Sequence, residues 1–340
     1  MVPRGVNLNS KWVALGISIL FIVACNNGTK TENNSSATSV VKPAGPTAPS
    51  FNSDSAFAYV KSQTDFGPRI PNSSAQAKCA AWLAETMKQF ADTVIVQSFQ
   101  TRGFDGKTLN GKNIISSFNP NKGNRVLLCS HWDSRPWADQ DSVDQDQPID
   151  GANDGASGVG VLIEVARQLA IANPDVGVDI IFFDIEDYGQ PEGSKFPEME
   201  DSYCLGSQYW AKNLHTSNYF ARYGILLDMV GGAHATYTQE GTSNRYAPGV
   251  VDMVWKTASD VGYSDYFVFE KTKPIIDDHY YVNQLAQIKM VDVIHYDFGS
   301  PSNFWKHWHT HGDTIDKIDK NSLKACGQTL LQVVFNELAN

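Results

Sequence analysis

The chain lacks clustered positive charge. No run of lysine and arginine stands out among its 340 residues, and Asp plus Glu outnumber Lys plus Arg by 37 to 27, a formal net charge of −10. Binding a phosphate backbone needs a basic face, so nucleic acid is excluded as an expected partner. The chain also lacks paired cysteines: none of its five sits in a CxxC pair, which argues against a cysteine zinc site. No internal repeat appears at solenoid or propeller periods. The apolar run from Trp12 to Ala24 is too short to span a membrane comfortably. What remains is an ordinary globular balance, 42% apolar and 19% charged, which suffices to bury a substantial core.

The amino terminus carries a localisation signal. Arg4 and Lys11 precede the short apolar run, which ends Phe21-Ile22-Val23-Ala24-Cys25. A positive segment followed by a short apolar one reads as a secretory signal peptide. The small residue before Cys25 resembles a bacterial lipobox, in which the cysteine is lipidated. Residues 26–50 are rich in Asn, Ser, Thr, Pro and Gly and cannot offset their ordering entropy by burial. The expected organisation is a lipoprotein signal peptide at 1–24, a lipidated flexible linker at 25–50 and a catalytic body at 51–340. The expected location is the periplasm or outer envelope, with the membrane contacted through Cys25. Of the other cysteines, Cys79, Cys129, Cys204 and Cys326, pairing cannot be read from sequence, though Cys129 in an apolar run reads as a buried small residue.

Within the body, apolar runs of strand length alternate with helical patterns. Residues 93–99, 113–118, 125–129, 178–183, 223–229 and 288–294 read as strands. Residues 73–90, 158–170 and 322–338 read as helices, the second ended by Asn173-Pro174. The alternation predicts one α/β domain of three layers, with helices on both faces of a central, mostly parallel twisted sheet. Functional groups in such folds gather where strands end.

Five polar clusters stand out, and four of them directly follow or interrupt apolar strand-like runs. They are Ser130-His131-Trp132-Asp133-Ser134-Arg135, Ala152-Asn153-Asp154-Gly155, Asp184-Ile185-Glu186-Asp187, Asp228-Met229-Val230-Gly231-Gly232 and Trp308-His309-Thr310-His311-Gly312-Asp313. Histidines and carboxylates at strand ends are what a catalytic zinc site requires, with one position left open. The neighbouring acids Glu186 and Asp187 need a cation or a proton to offset desolvation and repulsion. Each cluster alone has a plain explanation: Asp154 as a helix cap, Asp133 or Asp228 as a turn residue. Five together do not.

The ordered set His131-x-Asp133, Asn153-Asp154-Gly155, Glu186-Asp187, Leu227-Asp228 and His309-Thr310 resembles the zinc aminopeptidase clan, which includes the metallo-type glutaminyl-peptide cyclotransferases. Two features lean toward the cyclases: Asp277 before Asp278-His279, where aminopeptidases commonly carry a small hydroxyl residue, and Trp308 directly before His309. The resemblance implies a zinc-exopeptidase-like fold and three zinc ligands, Asp154, Asp187 and His309. It implies Glu186 as general acid/base, Asp228 and Asp277 as carboxylates sharing protons with it, and Trp308 as a wall of the substrate pocket. The implied reaction is cyclisation of an N-terminal glutamine of a peptide or protein to pyroglutamate with loss of ammonia, using one zinc ion. The alternative is a two-zinc aminopeptidase in which His131 and Asp228 bind a second ion. A third reading, a non-catalytic binding protein, ranks last because Asp154, Glu186 and His309 are all present. Asp187 stands where the clan usually has Glu, and a tryptophan that follows the acidic pair in animal cyclases has no obvious counterpart, with Phe196 or Tyr203 as substitutes. Trp132, Trp137 and Trp305 read as core aromatics, and residues 190–202 as a loop near the site.

Overall fold

The computed structural model describes residues 46–339, so the expected signal peptide, Cys25 and most of the linker lie outside the described residues. The chain enters through two helices, α1 (Ser53–Thr64) and α2 (Ser74–Met87), and then a hairpin of β1 (Thr93–Arg102) and β2 (Thr108–Phe118). The β3 strand (Arg125–His131), α3 helix (Ala156–Ala172) and β4 strand (Gly177–Phe183) follow. Next come α4 (Leu205–Lys212), β5 (Tyr223–Asp228), β6 (Tyr237–Gln239), α5 (Gly241–Tyr246), α6 (Pro248–Asp260) and β7 (Phe267–Lys271). The chain closes with α7 (Asp278–Tyr281), β8 (Met290–Ile294) and α8 (Lys320–Asn336).

The six-stranded sheet runs β1-β2-β4-β3-β5-β8, parallel across β4-β3-β5-β8 and antiparallel at the β1-β2 and β2-β4 pairs. A short parallel pair, β6 and β7, forms a second sheet. Strand side chains alternate between two apolar layers, as a pleat requires. Val126, Leu128, Ile180, Phe182, Ile225, Leu227, Val291 and Val293 join the layer built with α1, α2, α3, α6 and α8. Leu127, Cys129, Ile181, Phe183, Leu226 and Met290 join the opposite layer, with Trp210 and Ala211 of α4. The three-layer arrangement and the mostly parallel sheet are therefore as the sequence predicted. Each fully buried aliphatic side chain contributes roughly 1.5–3 kcal/mol, so the two layers together dominate the stabilisation.

Element ends shift by a few residues from expectation, and β2 begins five residues earlier, because its outer half pairs with β1 beyond the apolar run. All four cysteines of the described residues are free and buried, Cys129 as expected. Among the described residues no helix is long and apolar enough to cross a membrane.

Candidate metal-centred active site

The polar clusters converge at the carboxyl ends of β3, β4, β5 and β8, where the parallel strands hand over to loops. His131 is the last residue of β3. The Trp132 N–H donates to the Phe183 carbonyl at 3.0 Å, which carries strand pairing one residue further and sets Asp133 beside the end of β4. There the Asp133 carboxylate, fully buried, accepts from the N–H groups of Glu186 (3.0 Å) and Asp187 (3.1 Å). Asp133 is thus the clip that holds the acidic pair, rather than a turn residue. Ile185, just before the pair, has φ +57°, unusual for a β-branched residue, and turns the chain sharply out of β4.

Asp154 comes from the loop leading into α3. The helix is capped by Gly155 at φ +91°, and a Cβ there would stand 2.5 Å from the Asp133 carbonyl oxygen, so glycine is required. Asp154 makes no helix cap; its own N–H and that of Asn153 donate to Asp313 at 3.0 and 2.7 Å. Asp228 ends β5, and Asp277 is the N-cap of α7, its side chain accepting from the Asp278 N–H. His309 sits in the loop between β8 and α8 with φ +54°, its ring stacked on that of Trp308 at 3.8 Å between centroids.

Asp154, Asp187 and His309 bring ligand atoms within 4.8 Å of one another. His309 Nε2 lies 3.2 Å from Asp187 Oδ1 and 3.6 Å from Asp154 Oδ2. A tetrahedral ion with bonds of about 2.05 Å separates its ligands by about 3.3 Å, so these spacings suit zinc. Asp187 Oδ2 is buried without a hydrogen-bond partner, an acceptor awaiting a cation. The residues therefore fit a bound divalent ion. Behind them, Arg135 donates to the Asp187 carbonyl (3.0 Å) and grips Asp139 at 2.6 and 2.8 Å, while Asp139 lies 3.3 Å from His309 Nδ1. This outer layer orients both ligands. A second triad, His131, Asp154 and Asp228, has similar spacing: His131 Nε2 is 3.1 Å from Asp154 and 3.3 Å from Asp228.

The electrostatics call for positive charge or shared protons. Burial raises the Asp154 carboxyl to about 6, with the Asp187 charge adding to it. Burial also opposes ionisation of Asp187, but His309 and Arg135 outweigh it and hold the carboxyl below its usual range. Burial lifts Glu186 well above the ordinary value against the opposing pull of His131, and the Asp187 and Asp277 charges add to the rise. Asp277 is pushed up to about 7 by burial and by Asp228. Asp313 is raised to about 8 by burial and the neighbouring Asp154. Glu186 and Asp277 lie together with Cys204, ligand atoms within 4.8 Å of one another.

Asp154, Glu186, Asp187, Asp228, Asp277 and His309 line one cavity of about 320 Å³, with Met229, Ile275, Ile276, Ile294, Phe304, Trp308, Glu200, Tyr203 and Tyr281. The structure thus brings Asp154, Glu186, Asp187, Asp228, Asp277, Trp308 and His309 to a single cavity. His131 lies behind it, fully buried. Tyr203 lines the cavity, whereas Phe196 packs on Phe104 outside it. Trp132 is core and donates to the Lys112 carbonyl; Trp305 packs with Met229 and Ile294; Trp137 packs edge-on against Tyr188. The loop at 190–202 borders the cavity through Glu200. Sequence reading had assigned no role to Arg135, Asp139, Cys204 or Asp313. The first and fourth lay inside quoted clusters, but their partners are visible only in three dimensions.

Layered α/β architecture and a buried histidine–carboxylate centre at the strand ends define an α/β protein of the zinc-exopeptidase type. The model of Peptidase family M28 matches residues 113–334, and the chain belongs to that family. Among solved structures, it is similar to a Zn-dependent exopeptidase from Parabacteroides distasonis ATCC 8503, 49% identical, TM-score 0.83, covering 85% of this chain and 99% of that one. It is equally similar to Bacteroides thetaiotaomicron glutaminyl cyclase bound to N-acetylhistamine, 46% identical with TM-score 0.83 and the same coverage. Tannerella forsythia glutaminyl cyclase is 47% identical, TM-score 0.83, again over 85% of this chain and 99% of its own.

Proposed function

We propose that this protein cyclises the N-terminal glutamine of peptides to pyroglutamate with release of ammonia, with one zinc ion held by Asp154, Asp187 and His309. The observation that carries the reading is the pairing of Asp277 with Glu186 at the wall of the same cavity. Cyclisation requires a proton to leave the α-amine and another to reach the departing nitrogen, and a pair of proton-sharing carboxyls serves both. The similarity to solved glutaminyl cyclases supports it.

When bound, zinc supplies Lewis acidity toward the substrate's γ-carbonyl. Glu186 takes the amine proton and delivers it to the leaving ammonia. Asp277, its carboxyl raised by burial and the Asp228 charge, holds a proton beside it and donates a hydrogen bond to the reacting group. Trp308, Ile275, Phe304 and Met229 hold the glutamine chain curled and keep water out, so the substrate's own amine is the nucleophile at hand. A second reading, a two-zinc aminopeptidase, draws on the His131–Asp154–Asp228 triad. In the one-zinc reading His131 Nε2 carries a proton shared with Asp154 and Asp228.

Chelation tests the metal. Ammonia release from a Gln-initiated peptide is expected to stop on chelation and to return with about one equivalent of zinc. Release that survives chelation, or needs two equivalents, overturns the one-zinc reading. For location, we propose an envelope lipoprotein on the strength of residues 1–50 alone; Cys25→Ser should shift the protein from membrane to soluble fractions.

A further inference from the structure

Glu186 is held by more than its own backbone. The chain returns to it eighteen residues later at Cys204, and two main-chain bonds join the segments: Cys204 N–H to the Glu186 carbonyl (2.8 Å) and Leu205 N–H to the Ile185 carbonyl (2.9 Å). Both sides of this buckle are in the left-handed region, Ile185 at φ +57° and Cys204 at φ +58°. Neither residue type adopts that conformation readily, so the surroundings impose it. The imposed turn aims the Cys204 sulfur at the carboxylate, with Sγ 3.0 Å from Glu186 Oε1. Among the described residues, Cys204 is the side chain that hydrogen-bonds the Glu186 carboxylate, and it does so at Oε1. Cys204 is one of four buried cysteines of the described residues, and its sulfur points at a side-chain carboxylate.

We propose that Cys204 is a positioning residue for the reaction: its thiol donates to Oε1, fixes the rotation of the Glu186 carboxylate and leaves Oε2 facing the cavity for proton transfer. The inference rests on Glu186 as the proton carrier. A thiol suits the task because it is a weak donor. It orients the carboxylate without stabilising its charge as strongly as an N–H or O–H would, so the carboxylate keeps the basicity it needs. Burial beside Glu186 keeps the thiol protonated and therefore a donor. A Cys204 that merely fills core space would act only through its size and main chain.

The test compares wild-type full-length protein, Cys204→Ala and Cys204→Ser on a Gln-initiated peptide, with zinc content measured for each. Cys204→Ala should lower kcat roughly tenfold, the scale of one hydrogen bond to a charged group, with KM within about twofold. Cys204→Ser, which restores a donor, should return kcat to within about threefold of wild type. A Cys204→Ala kcat within twofold of wild type, or Cys204→Ser as slow as Cys204→Ala, overturns the proposal. Product identity separates this question from the reaction itself. If the wild type releases a free amino acid instead of ammonia, the function reading fails and the same kcat comparison is made on that product. Infrared difference spectra supply a readout independent of turnover. The S–H stretch that disappears in Cys204→Ser should move to higher frequency in Glu186→Ala, and an unmoved band overturns the hydrogen bond.

Discussion

Asp133→Asn tests whether the acidic pair is held by a clip. The substitution is nearly isosteric, so it opens no cavity at this fully buried position. In the native protein each carboxylate oxygen accepts one N–H, from Glu186 at 3.0 Å and Asp187 at 3.1 Å. Asparagine keeps one acceptor and turns an amide N–H₂ toward the other donor. One charge-assisted bond is lost, about 1.5–3 kcal/mol, and one buried N–H is left unsatisfied, about 1–3 kcal/mol, partly the same loss counted from the other side. A net effect of roughly 2–4 kcal/mol follows, divided between unfolding and displacement of Glu186. Urea unfolding of the zinc-loaded protein should therefore show a loss of at least about 2 kcal/mol, or kcat should fall by the order of a hundredfold that misplacement of a catalytic group by about 1 Å can cause. Stability within about 0.5 kcal/mol of wild type together with kcat within twofold would refute the reasoning, because the clip would then carry no energy.

Other outcomes follow from the same geometry. Glu186→Gln removes the proton carrier and no zinc ligand, so turnover should be lost while zinc content by atomic absorption stays at wild-type level; near-normal rates would contradict the role. Asp277→Ser should reduce cyclisation severely, and an unaffected rate of pyroglutamate formation would remove the main distinction from an aminopeptidase. Burial depresses His295 from 6.5 to about 4, outweighing the opposite pull of Asp297. Its folded-state value is therefore below the unfolded one, so its contribution is present above pH 6.5 and lost as pH falls toward 4. The full shift corresponds to at most about 3 kcal/mol. Unfolding curves at pH 7 and 4.5 should show His295→Gln losing less stability than wild type over that interval; equal losses would contradict it.

The site was legible because of how parallel strands are written. The β3, β4 and β5 strands are buried on both faces, so they read as continuous apolar runs, and the first polar residues after each run mark the catalytic edge. His131, Glu186, Asp187 and Asp228 were visible in that way. The α1 helix was not, because its buried face is only Ala56, Val60 and Gln63, too sparse and small for a periodic signal. The β6 and β7 strands are three and five residues long and lack a run to detect. Supporting residues were hidden for a different reason. Asp139, Asp313 and Cys204 act on His309, Asp154 and Glu186 across 170, 159 and 18 positions of chain, and nothing local marks such pairs. Asp154 read alone as a helix cap, yet Gly155 takes that place, since only a glycine passes so close beneath Asp133.

The most direct measurement is the mass of a Gln-initiated peptide after incubation with the zinc-loaded protein. Loss of one ammonia with every residue retained is the result this account predicts. A peptide shortened by its first residue would contradict it, and would make His131 and Asp228 ligands of a second ion in a hydrolytic centre.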